Sequence, residues 1–180
     1  MIKTRFNSRT LSLCGLFAAL SAVLSWTSIP FIPVPLTLTH ISIFMAAGLL
    51  GWRYGTISQI IYVLLGVAGA PVFSGFRGGL GYIAGPTGGF IFGYILTVLV
   101  TGLLIKRFGT RFWVLMLCMA AGWVCTYAAG LPWIAAQTGR TLPEALTAFC
   151  LPFLPGDAAK TVLCAGLINR LHPVLAKRNR

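Results

Sequence analysis

The hexapeptide PGDAAK, residues 155–160, holds one of the chain's two acids three positions before a lysine. Residues three apart on a helix share a face, so Asp157 and Lys160 stand side by side if this segment is helical. The Pro-Gly break before them marks a helix start, and the plainest reading makes Asp157 an N-cap whose carboxylate takes free N–H groups of the first turn. That leaves Lys160 unexplained, because a cation in the first turn opposes the positive end of the helix dipole. Charges inside an apolar chain are costly enough to be read as functional. The pair offers two acceptor oxygens and a cationic donor, which suits a neutral, urea-like or carboxylated small molecule. The competing reading is a purely structural ion pair.

Little else could do bond chemistry. Hydrolysis needs a nucleophile with a base, paired carboxylates or a metal, but Glu144 falls in a polar loop, while His40 and His172 are far apart. His40 lies near the outer end of the second apolar segment, where it reads as a polar interfacial residue. No GxxxxGK[ST] phosphate loop occurs, so the chain does not itself hydrolyse ATP. The five cysteines form no CxxC pair, and four lie in apolar runs, as buried small residues do. No metal site and no cofactor are expected.

The elements that must position the pair follow from composition. Of 180 residues, 57% are hydrophobic and 9% charged, whereas soluble domains carry about a quarter charged residues. The surface must therefore face lipid. A bilayer-spanning helix needs about 20 apolar residues, so the chain, residues 1–180, reads as one all-α membrane domain of six transmembrane helices. The first is LSLCGLFAALSAVLSW, retained because no small-residue cleavage site follows it. The second, LTHISIFMAAGLLGW, turns at WRYGT; the third is TISQIIYVLLGVAGA. The fourth and fifth start near Thr87 and Phe112, and the last runs from about Ala158 to Ala176.

Charge orients this topology. With both termini cytoplasmic, the inner side collects Lys3, Arg5, Arg9, Arg53, Lys106, Arg107, Arg111, Arg170, Lys177, Arg178 and Arg180, against Arg77 and Arg140 outside. That is the positive-inside pattern. A nucleic-acid binder would gather its charge on one soluble face, so the formal charge of +12 does not point to nucleic acid. The unusual residues fall outside: a proline loop at SIPFIPVPLT, the glycine-rich stretch PVFSGFRGGLGYIAGPTGG, and PGDAAK. Glycine suits backbone that approaches a ligand, and non-helical backbone at membrane depth survives where it lines a cavity. Gly89 and Gly93 also fit close helix packing.

The segment PVPLTL at 33–38, the LLG at 49–51, GVAGAPVF at 66–73, the stretch from Gly78 to the GPTGG ending at Gly89, and PGDAAK together resemble the BioY family. These are the biotin-specific S components of energy-coupling factor (ECF) transporters, and the likeness covers about residues 9–176. It implies a six-helix S-component fold in the bacterial cytoplasmic (inner) membrane, with biotin held near the outer face. It also implies partners: a membrane T component and two ATPase subunits, or a self-oligomer if the subunit works alone. Family members use an AxxxA pattern on the first helix to dock the T component, and Ala18 and Ala22 supply it here, flanked by Gly15 and Ala19. Internal packing is the alternative for that pair. The chain departs from the family pattern at Thr39–His40, where a glutamine–threonine pair is common, and at Phe76, where a glycine is.

On this resemblance, Asp157 accepts from a ureido N–H of biotin and Lys160 donates to the ureido oxygen or orients Asp157. Arg77 or Lys160 meets the tail carboxylate. Phe31, Phe73, Tyr82 and Trp133 supply apolar walls, and the backbone of Gly78 and Gly79 lies against the ligand. A different vitamin on the same fold and a non-transporting assembly protein are the competing functions.

Overall fold

The computed structural model describes residues 8–29 and 34–178, with the side chains of residues 29 and 173–178 excepted. It is helical almost throughout. Helix α1 (Ser8–Trp26) leads through a two-residue strand pair, β1 (Ser28–Ile29) and β2 (Leu36–Thr37), into α2 (Thr39–Leu49) and α3 (Gly51–Val67). A loop carrying the short α4 (Leu80–Ala84) precedes α5 (Gly88–Phe108) and α6 (Phe112–Thr138). The chain closes with α7 (Leu142–Phe149) and α8 (Leu154–Arg178). The strands are antiparallel, Ser28 opposite Thr37 and Ile29 opposite Leu36.

Three helices, α1, α5 and α6, are long and apolar enough to cross a membrane, and α7 with α8 passes as a pair bent by 60°. Of the six spans read from the sequence, length and composition thus support up to four, and the second and third correspond to the shorter helices α2 and α3. At 11 residues, α2 rises only about 16 Å against a hydrocarbon core of about 30 Å. Its corner with α3 also sits earlier than WRYGT. Gly51 takes φ +78° and turns the chain at Leu50–Gly51, a conformation glycine adopts without a Cβ penalty, so Trp52 and Arg53 belong to α3. Likewise α8 begins four residues before Ala158, at Leu154.

The helices are apolar on both faces because their two surroundings, neighbouring helices and lipid, are both apolar. On α6, Trp113 and Leu117 are each 74% exposed while Leu115 and Met119 are fully buried. Without a hydrophobic drive between helices in lipid, close packing holds the bundle. The α5–α6 seam shows it: a Cβ added at Gly93 would stand 3.0 Å from the Thr126 Cα. The reading of Gly89 and Gly93 as packing glycines is borne out. Between α1, α2 and α3, buried hydroxyls are joined instead: Ser21 donates to Ser42 at 3.0 Å and Gln59 donates to Ser21 at 2.9 Å.

The bundle has two distinct ends. At one, Arg53 and Lys106 both approach the Trp52 ring, 5.0 and 6.0 Å from its centroid, so the α2–α3 corner meets the α5–α6 turn. At the other, three side-chain donors pin the loops. Trp26 Nε1 donates to the Pro71 carbonyl at 2.8 Å, Trp133 Nε1 to Gly85 at 2.9 Å, and Gln137 to Ala84 at 3.0 Å.

Candidate functional site

Two adjoining clefts open at this second end, enclosing about 380 and about 310 Å3 of space that is partly open to solvent. They share Val34, Pro35, Thr37, Phe90 and Tyr94 in their walls, so the residues around β2 and the start of α5 form the waist of one cleft.

The larger cavity holds the charged residues, Asp157 and Lys160 of PGDAAK. Because α8 starts at Leu154, the Asp157 N–H already bonds the Phe153 carbonyl at 2.9 Å. Asp157 is therefore not the N-cap, and its carboxylate turns away from the backbone. One oxygen accepts from Lys160 Nζ at 3.1 Å and the other from the Tyr127 hydroxyl. Both members of the pair are buried, at 4% and 6% exposure, and it is the one ion pair among the described residues. A buried pair survives desolvation when further hydrogen bonds satisfy it, which is what Tyr127 supplies.

Aromatic rings complete this wall. Trp123 stacks on His40 at 3.9 Å between centroids and on Tyr127 at 5.9 Å. Its Nε1 donates to Thr161 at 3.0 Å, and Lys160 Nζ lies 5.7 Å from its centroid, within cation–π range. His40 is thus a buried member of the site, not an interfacial residue. Its Nε2 lies 3.3 Å from the Thr126 hydroxyl.

The smaller cavity has no charged residue in its wall. Phe73 packs against Tyr62 at 5.5 Å and stacks on Tyr82 at 5.3 Å, and all three line it. The cleft therefore gathers Asp157, Lys160, Phe73 and Tyr82 from the residues singled out by sequence. It leaves out others. Arg77 is exposed on the loop and lines neither cavity, its carbonyl taking the Phe73 N–H at 2.9 Å. Gly78 and Gly79 face the chain itself: a Cβ at Gly78 would meet the Ala70 carbonyl, and Gly79 N–H bonds Gly66 at 2.6 Å. The bare backbone serves loop closure against the end of α3. Trp133 braces Gly85 from outside the cleft, and Phe31 lies outside the described residues.

Ala18 and Ala22 are also corrected. They are 2% and 6% exposed and pack in a cluster with Tyr62, Val63 and Phe73, so they are internal packing residues and present no outer docking face. Gly15 and Ala19, four apart, lie exposed on the outside of α1.

A match to the BioY family runs over residues 1–177. The chain belongs to the BioY family. It is 38% identical to a protein named biotin transporter BioY from Thermotoga maritima, over 94% of this chain and 99% of that one. A second relative of that name, from Rhizobium etli, is also 38% identical, over 96% and 99%. The fold is similar to a crystal structure of the S-component for biotin from an ECF-type ABC transporter, with a TM-score of 0.84 and 31% identity over 92% of this chain and 91% of that one.

In this BioY-family chain the wall residues that sequence reasoning missed include Trp123, Thr126 and Tyr127. Their signal was present: spaced at 0, 3 and 4 along α6, they share one face, and two of them carry hydroxyls in an apolar run.

Proposed function

We propose that the chain is the biotin-binding S component of an ECF uptake transporter. The observation that carries the reading is the buried Asp157–Lys160 pair in the wall of the larger cavity. A ureido group has two N–H donors and a strong carbonyl acceptor. Asp157 takes an N–H on a lone pair left free by Lys160 and Tyr127, and Lys160 donates to the ureido oxygen. Trp123 and Tyr127 cover the fused rings. The acid tail runs over the waist toward Phe73 and Tyr82, and Arg77 at the exposed loop meets its carboxylate. Gly78 and Gly79 hold that loop in shape.

In this reading all six long helices cross the bacterial cytoplasmic membrane, with both termini inside. Support comes from the basic end formed by Arg53, Lys106, Arg107 and Arg111, opposite the cleft. The strand pair and the α4 loop complete the depth that α2 and α3 do not reach, as non-helical backbone does where it lines a cavity. ATP energy comes from partner subunits, a T component and two ATPases, or the subunit self-associates.

Titration calorimetry of biotin into detergent-purified protein tests the site. Removing one partner of a buried ion pair costs about 3–5 kcal/mol. Asp157→Asn and Lys160→Ala should each weaken biotin by about a hundredfold or more. A folded wild type that ignores biotin and binds thiamine or riboflavin would overturn the reading.

A further inference from the structure

His40 enters the cleft wall by stacking on Trp123, but its ring nitrogens point to a more specific role. Three hydroxyl and carbonyl groups lie in sequence behind it. His40 Nε2 is 3.3 Å from Thr126 Oγ1, Thr126 Oγ1 is 2.6 Å from Thr97 Oγ1, and Thr97 Oγ1 is 2.9 Å from the Gly122 carbonyl oxygen. All three side chains are buried, so each short contact needs a proton.

The protons can be counted from the far end. A carbonyl only accepts, so Thr97 spends its one hydrogen on Gly122. Thr126 must then donate to Thr97, since two oxygens 2.6 Å apart with no proton between them repel. With its hydrogen used, Thr126 can only accept from His40, so Nε2 carries the proton. The reverse order, with Thr126 donating to Nε2, would leave Thr97 and Gly122 oxygens facing each other at 2.9 Å without a hydrogen. One chain of donors satisfies every contact, and it runs away from the ring.

A neutral imidazole protonated on Nε2 has a bare lone pair on Nδ1. Nδ1 has no hydrogen-bond partner among the described residues, yet it is not sealed in. Among the described residues, the side-chain atoms both buried and unpartnered are Thr39 Oγ1 and Gln59 Oε1, and His40 lines the larger cavity beside Asp157 and Lys160.

We infer that His40 Nδ1 is a ligand contact: an acceptor, preset by the Thr126–Thr97–Gly122 chain, that takes an N–H of the bound molecule. This deepens the biotin reading and rests on it. It assigns the second ureido N–H to His40, with the first on Asp157, so the two donors of a cyclic urea meet two acceptors from α2 and α8.

Two measurements test it. Nitrogen NMR of histidine-labelled, ligand-free protein in nanodiscs reads the tautomer directly, with His172→Gln removing the other histidine signal. A ring protonated on Nε2 alone is expected; protonation on Nδ1, or on both nitrogens, overturns the inference whether or not biotin binds. Calorimetry then compares biotin with the two cyclic carbamates in which one ureido N–H is replaced by a ring oxygen. His40→Phe keeps an aromatic ring against Trp123 and should weaken biotin about tenfold. One carbamate isomer should bind wild type far more weakly than biotin, and that gap should shrink in His40→Phe. A His40→Phe penalty equal for all three ligands would reduce His40 to a stacking residue. Absence of biotin binding by folded wild type would sink the biotin reading and its ureido assignment, while the NMR result still decides the acceptor.

Discussion

A carboxylate buried beside lipid keeps its charge only while each oxygen has a donor, and Asp157 divides its two between Lys160 and Tyr127. Tyr127→Phe deletes one donor without changing the ring that covers the cavity. An unpaired buried acceptor costs about 1–3 kcal/mol, so thermal unfolding in detergent should shift down and biotin should weaken about tenfold. An unchanged midpoint together with unchanged affinity would mean that Tyr127 is only a wall. At this scale the sequence was legible where charge was scarce. With two acids in the chain, an Asp three residues before a Lys stands out. His40 stood out only as a departure from the family pattern, because one histidine after a run of prolines carries no spacing signal, and its partners Tyr94, Trp123 and Thr126 come from α5 and α6.

At the scale of the elements, the glycine pattern divided into two physical uses. In α5, Gly93 lets the backbone of α6 approach within one methyl group of contact, and such small residues were readable as helix packing. Gly93→Leu should wedge α5 from α6, and overpacking of this kind costs about 1–3 kcal/mol. Because Thr126 is the residue it would strike, melting and biotin affinity should fall together; a fall in melting alone would uncouple the seam from the site. In the loop before α5, bareness pointed to a ligand, whereas Gly78 and Gly79 close the chain onto Ala70 and Gly66. Sequence alone does not distinguish these, since both demand the same missing Cβ. The same ambiguity misplaced Ala18 and Ala22: small residues four apart mark a close contact, not which side of the helix makes it.

For the whole molecule, composition sufficed to place the chain in a membrane, but not to count its crossings. Length was the obstacle, because α2 is too short by itself and the strand pair before it has no hydropathy signature. The charge pattern was more informative, separating a basic end from a cleft end before any geometry was known. Inside the cleft the charges behave differently. Asp157 and Lys160 stand 3.1 Å apart and cancel, so an arriving anion meets a dipole, not a net field. The basic end lies across the bundle, well beyond the screening length of about 8 Å at physiological salt. Raising sodium chloride from about 50 to about 500 mM should therefore change biotin affinity by less than about threefold, and Arg77→Ala should remove the dependence that remains. A steep decline with ionic strength would reveal a proton on Asp157 and a lone ammonium in the cleft. The one close ion pair among the described residues thus predicts a ligand affinity that does not follow the salinity of the surrounding medium.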